Sequence, residues 1–225
     1  MLAQSAQLLT KHIDVRVNRS VCHRPRSPVV EQAIQLIGSS IKRSERMIAD
    51  LLEIARLNVS VEKFEDINTN EIIQNILTTF HADVTAAEAV IRCEQTLPTI
   101  TGHASQIESL FANLIRNALL YRDKRRKAEI LIGCQKRSGH FEFYVRENGI
   151  GIEPKYPDKI FEMFRRLQND PECPGTGIGL AYCKKVVEIS GGRIWATSVP
   201  GQGSTFYFTY PMRTDSQDPA VHLPA

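Results

Sequence analysis

Val30, Ile34, Ile37, Ile41, Ser44, Ile48, Leu51 and Ala55 recur at alternating intervals of four and three residues. That interval is a heptad seam, and charge fills the positions between, as at Lys42, Arg43, Glu45 and Arg46. A helix with one narrow apolar stripe must bury it against another helix. The stretch therefore predicts part of a helical hairpin, completed by dimerisation into a four-helix bundle. Leu2, Leu9 and Ile13 suggest the last turns of an earlier helix. Between the two, Cys22-His23-Arg24-Pro25-Arg26-Ser27-Pro28 reads as a connector, because closely spaced prolines cannot propagate a helix.

From about residue 60 the pattern turns mixed. A helix is expected near 69–82, capped by Asn68 or Thr69, followed by a strand at Val90 to Glu94. Ser105 to Tyr121 predicts a helix with Ile107, Leu110, Phe111, Leu114 and Ala118 on one face. Residues 128–135 and 141–146 alternate like strands around a Ser138-Gly139 turn. Another helix should follow Gly179 through Ile189, and Arg193–Ser198 with Ser204–Tyr210 should form a last hairpin. The tail after Met212 is polar and proline-bearing, which predicts disorder. The resulting division is a partial hairpin at 1–59, a mixed α and β domain at 60–212 and a tail at 213–225.

Composition narrows the class. The chain has 225 residues, 42% hydrophobic and 24% charged, as in an ordinary soluble protein. A net charge of +3, evenly spread, gives no reason to expect a nucleic-acid partner. No apolar run approaches the roughly 18 residues of a membrane span, and the N-terminus lacks a signal-peptide pattern. The five cysteines are odd in number and never in C-x-x-C spacing, so the expected setting is a reduced cytoplasm, without a disulfide frame or zinc site.

The chemistry lies between 113 and 206. Asn113 and Asn117 stand one helical turn apart, so their amides share a face; amide oxygens are hard, neutral ligands suited to a magnesium ion that also bridges phosphate oxygens. Glu147-Asn148-Gly149-Ile150-Gly151 suits a tight turn against a flat ligand such as adenine, with Glu147 placed to bond its exocyclic amine; a plain hairpin turn fits the same residues. Gly175-Thr176-Gly177-Ile178-Gly179-Leu180 leads into a helix, where glycines allow close approach and the free amides attract phosphate. No Gly-Lys-Ser/Thr follows, and the glycines do not join a first strand to a first helix, which excludes a P-loop and a dinucleotide fold. In Ile160-Phe161-Glu162-Met163-Phe164-Arg165-Arg166, the two phenylalanines would anchor a lid and Arg165 or Arg166 would reach a terminal phosphate; a core pair beside solvated arginines is the competing reading. Five of the six residues from Arg122 to Lys127 are basic, which fits a solvated loop better than a phosphate clamp.

Taken in order, these segments resemble the catalytic transmitter of two-component histidine kinases, within the wider ATPase group that includes gyrase and MutL. Residues 113–121 match the family's N box, 147–151 the first glycine box, 161–164 the F box, 175–180 the second glycine box and Gly201–Phe206 the final box. The stretch from Phe161 through Gly191-Gly192-Arg193-Ile194-Trp195 to Pro211 is especially similar to phytochrome-type sensors. The resemblance covers roughly residues 30–211 and implies an α+β fold, a two-layer α/β sandwich whose mixed sheet is covered by helices on one face. It implies ATP and Mg2+ as cofactors, with Asn117 and Asn113 on the metal. Nucleotide contacts fall to Asn117, Tyr121, Glu147, Gly149, Gly151, Phe161, Phe164, Gly175, Thr176, Gly177, Gly179, Leu180, Ser204 and Thr205, and catalytic roles to Asn113, Arg165 and Arg166. Implied partners are a second copy through residues 29–58, a histidine-bearing kinase chain and a response regulator.

Three departures accompany the resemblance. Ala6-Gln7-Leu8-Leu9 resembles a stretch about three turns after the family's phosphoacceptor histidine, which places that histidine before Met1; His12 and His23 lack its context and read as ordinary exposed side chains. Glu147 stands where the family has Asp, and a strained hydrogen bond there would weaken nucleotide binding by about 1–2 kcal/mol. Leu120 occupies the place of a phosphate-facing lysine, for which Arg122 or Lys124 would have to substitute. The expected function is phosphoryl transfer from ATP to a histidine on a separate chain. The alternatives are a weakened, dimerising module that regulates intact kinases, or a fragment with no separate role.

Overall fold

In a computed structural model of the chain, the heptad stripe lies on one uninterrupted helix, α1 (Pro28–Arg56). Pro28 suits the first turn, where its missing N–H would have no helical partner, and Glu31 faces the positive end of the helix dipole. The stripe stands in solvent: Val30, Ile34, Ile37, Ile41, Ile48 and Leu51 are 38–60% exposed. The structure describes residues 27–57, 64–154, 156, 159–165 and 176–212. The expectations for the helix before residue 22, for His12 and His23, for most of the 22–28 connector, for Arg166 and Gly175, and for the tail after Met212 lie outside those residues.

The chain divides into a first unit ending at Ala49 and a second beginning at Asp50. The division falls inside α1, earlier than the compositional change near residue 60, because Asp50, Glu53 and Leu57 all find partners in the second unit.

That second unit is built on a five-stranded mixed sheet in the order β2-β4-β5-β7-β6. Its strands are β2 (Val90–Cys93), β4 (Glu129–Arg137), β5 (His140–Glu147), β6 (Ile194–Val199) and β7 (Gly203–Pro211). β2 runs parallel to β4 and every other pair is antiparallel. A separate antiparallel pair joins β1 (Glu65–Asn68) to β3 (Thr99–Gly102). The inward row of the large sheet, including Ile132, Phe143, Val145, Phe206 and Phe208, packs under α2 (Thr69–Thr79), α4 (Ala104–Leu120) and α5 (Gly179–Ile189). At the centre Phe143 and Phe208 stack 5.0 Å apart, and Phe111 of α4 meets both edge-on. On the opposite face Trp195 stacks on Tyr207, and Tyr144 lies across Gly133, where a Cβ would collide with its ring. Helices on one face of a mixed sheet are the two-layer sandwich expected.

Local chemistry explains the element ends. Asn68 caps α2 by accepting the Asn70 N–H, while the Asn70 side chain bonds both the N–H and the carbonyl of Leu97, holding the approach to β3. The helix expected to reach residue 82 stops at Thr79 and a separate short helix, α3 (His81–Ala86), follows. Thr78 and Thr79 return their hydroxyls to the carbonyls of Gln74 and Asn75, a pairing that bends a helix and weakens its continuation.

Candidate functional site

The C-terminal half of α4, the loop after β5, the start of α5 and the start of β7 surround one cleft of about 670 Å³, solvent mouth included. Side chains from Asn117, Tyr121, Glu147, Leu180 and Ser204 line it among apolar Ala118, Ile150, Ile152, Ile160 and Phe206. Few polar groups in a mostly apolar concavity is the usual make-up of a small-molecule site.

Asn117 lines the cleft, and its side chain makes no hydrogen bond among the described residues. Asn113, one turn earlier, does not line the cleft. Its Nδ2 donates to the Ser109 carbonyl at 3.0 Å, and its Oδ1 abuts the start of α5, where a Cβ on Gly179 would sit 2.8 Å away. The two amides share a face as expected, but only Asn117 reaches the cavity. Among the described residues no three His, Cys, Asp or Glu side chains cluster into a metal site.

Glu147 ends β5, nearly buried. Its carboxylate turns back on its own loop, accepting the Gly149 N–H, and is further bonded by Ser204. Burial pushes its pKa above the ordinary carboxylate value, while the bonds from Ser204 and Gly149 and the nearby Arg126 charge oppose that rise. Asn148 faces away, accepting the Glu129 N–H and donating to the Lys127 carbonyl. Gly151 has φ 71°, and a Cβ there would lie 2.2 Å from the Val199 carbonyl oxygen, so only glycine lets the loop close against β6. Ile150 donates to the Tyr121 carbonyl, and its own carbonyl accepts the Gly201 N–H at 2.7 Å.

α5 begins at Gly179, and its N-cap Ile178 supplies no side-chain cap. No side chain caps the first-turn amides, and Leu180 among these residues lines the cleft; an uncapped helix start attracts anions. Gly177, with φ 75°, turns the chain beneath the Phe164–Arg165 backbone. Thr176, expected at the phosphates, donates instead to Asp50 of α1 at 2.6 Å. Tyr182, one turn into α5, is hydrogen-bonded with Ser109 and Glu53, and burial raises its pKa.

Three further expectations differ from the observed geometry. Phe161 is buried in the core, but Phe164 is 54% exposed with φ 61°, so the expected pair of lid anchors is a single anchor here. The residue that reaches the cleft is Ile160, which the short 3-10 turn Lys159–Phe161 presents beside it. Arg165 borders the cleft with its guanidinium 5.9 Å from the Tyr156 ring centre. Ser204 lines the cleft, whereas Thr205, next along β7, falls on the other sheet face by strand alternation. In the basic run, Arg122 donates to the Leu119 carbonyl and so does not replace a lysine at Leu120. Arg125 binds Asp123 through both carboxylate oxygens, and those hydrogen bonds hold the Asp123 pKa down at about 2. The apolar cleft residues Ile150, Ile152 and Ile160 escaped sequence reasoning, since isoleucine beside a motif looks like ordinary core.

Residues 102–214 match the family described as histidine kinase-, DNA gyrase B- and HSP90-like ATPase. Cyanobacterial phytochrome A from a Nostoc strain is 36% identical over 168 residues, 75% of this chain and 22% of that protein. Cyanobacterial phytochrome B from the same strain is 38% identical over 184 residues, 81% of this chain and 24% of the relative. Sensor protein kinase WalK of Staphylococcus saprophyticus is 31% identical, covering 80% of this chain and 31% of the relative. The chain thus spans under a quarter of the length of those phytochromes. Among solved structures, the Acinetobacter baumannii histidine kinase AdeS superposes with a TM-score of 0.66 at 17% identity, covering 95% of this chain and 98% of that one. Histidine kinase ThkA in complex with response regulator protein TrrA gives 0.67 at 20% identity, over 96% of this chain and 61% of the other. At those identities the structural likeness speaks for the fold.

Proposed function

Because the chain belongs to the histidine kinase-, DNA gyrase B- and HSP90-like ATPases, we propose that it is the catalytic module of a sensor histidine kinase. In this reading it transfers the γ-phosphoryl group of ATP to a histidine side chain in two-component signalling. One observation carries the reading: Asn117, Glu147, Leu180 and Ser204, from four separate motifs, converge on a single cleft.

Within it, Glu147 and Ser204 meet the base, and Ile150, Ile152 and Ile160 exclude water from its faces. The uncapped start of α5 receives the phosphates. Arg165, at the cleft margin, neutralises charge at the transferred group. A magnesium ion would be held by the Asn117 amide, with Asn113 one turn back at the α5 start, and would supply positive charge to offset that of the phosphates. Asn113 also supports transfer over hydrolysis, because an amide cannot take a proton from water as the glutamate of the gyrase branch does.

The acceptor histidine and the response regulator are proposed partners. The solved complex of ThkA with TrrA shows such a pairing for a protein of similar fold. Residues 29–58 supply the proposed dimer contact through the exposed stripe of α1. No helix of the described residues is long and apolar enough to cross a membrane, and we place the module in the cytoplasm.

The test is transfer of radiolabel from γ-labelled ATP to an added helical hairpin carrying a family phosphoacceptor histidine. Acid-labile, magnesium-dependent labelling that Asn117→Ala abolishes is expected. ATP binding without any labelling of the hairpin would overturn the kinase reading.

A further inference from the structure

The basic run after α4 contains one arginine with a role that neither its charge nor its neighbours suggest. A single nitrogen of Arg126, Nη2, donates to the Gly149 carbonyl at 2.8 Å and to the Gly201 carbonyl at 2.7 Å. Both of its hydrogens are engaged, one on the loop after β5 and one on the β6–β7 turn. The stem is steadied by the Asp123 carboxylate, 3.6 Å from Nε. The same two loops meet where the Gly201 N–H donates to the Ile150 carbonyl, and the Ile150 N–H in turn reaches the Tyr121 carbonyl. Arg126 therefore closes a ring of backbone bonds around Gly149, whose own N–H holds the Glu147 carboxylate.

We propose that Arg126 is a positioning residue for base selectivity: by fixing Gly149 it fixes the Glu147 carboxylate at the base end of the cleft. The proposal rests on the ATP reading above. Arg126 does not line the cleft, so it acts through Glu147. A plain loop staple would affect every nucleotide alike, whereas a positioning residue affects those whose exocyclic amine Glu147 meets.

That difference sets the experiment. Calorimetry on the full chain with magnesium compares ATP with purine riboside triphosphate, which lacks only the 6-amino group. Wild type should prefer ATP by roughly tenfold, the scale of one hydrogen bond to a charged acceptor. Arg126→Met should weaken ATP by roughly tenfold yet change the analogue by less than about twofold, so the preference collapses. Arg126→Lys should restore it, because one nitrogen carries both bonds. The Arg126 side chain is 37% exposed, and far-UV circular dichroism of both variants checks that they fold. Equal weakening of both nucleotides, or an unchanged preference in Arg126→Met, overturns the proposal. If wild type binds neither nucleotide, the ATP reading itself fails and the proposal falls with it; ATP binding without histidine labelling leaves the selectivity test standing.

Discussion

At position 147 the extra methylene of glutamate lets the carboxylate curl back onto the Gly149 N–H of its own turn. An aspartate there is too short to close that loop in the same way and would hold its oxygens nearer the strand end. We expect Glu147→Asp to tighten ATP binding roughly five- to thirtyfold, about 1–2 kcal/mol, as measured by calorimetry; unchanged affinity would show that both lengths serve equally. Asp123 gives a second residue-scale expectation, this one about stability. Its pKa is lowered from 3.8 to about 2 by the Arg125 bonds, so the unfolded chain binds its proton more tightly than the folded one. The stabilisation is complete above pH 3.8 and disappears as the pH falls through 2. Melting curves of Asp123→Asn should therefore lie below wild type at neutral pH and converge with it in acid. Glu147 has the opposite sign: a raised pKa means that its contribution declines as the pH climbs above 4.5. Neither residue's partners could be read from the sequence, since the bonding depends on which way a loop folds back.

Between elements, the informative contact joins α1 to the start of α5. Asp50 accepts the Thr176 hydroxyl, and Glu53 and Tyr182 are hydrogen-bonded one turn further along both helices. A carboxylate thus stands beside the turn proposed to receive phosphates, and like charges repel. Asp50→Asn should tighten ATP binding by roughly threefold at low salt, less at high salt, in the same titration. Weaker binding in the variant would mean that Asp50 instead supports the loop. At this scale much was legible beforehand. The α4 stripe, both hairpins of the large sheet and the helix after Gly179 all follow from apolar periodicity and glycine placement. β1 and β3 were not legible, because each is four residues long and buries one isoleucine, Ile67 or Ile100. Thr176 and Thr205 were assigned by their neighbours in a motif, but side-chain direction is set by the partner helix in one case and by strand parity in the other.

For the whole molecule, the α1 stripe is the feature that a single chain leaves unsatisfied. Six large aliphatic side chains in heptad register stand exposed, a surface that calls for a second helix. Ile41→Asp should shift sedimentation from dimer to monomer, while the melting of the sheet domain, which packs around Phe111, Phe143 and Phe208, stays unchanged. A wild-type chain that sediments as a monomer at all concentrations would remove residues 29–58 as the dimer contact.

The continuity of α1 has a further consequence. From Asp50 to its end α1 runs without a break, so Asp50 and Glu53 keep a fixed angular offset, like two teeth on one key. At about 3.6 residues per turn, a single residue inserted between Asp50 and Glu53 rotates one carboxylate about 100° relative to the other, so Thr176 and Tyr182 cannot both keep their partners. The spacing of those two carboxylates therefore acts as a gauge for the turn before α5, and any other spacing leaves one of its two bonds unmade.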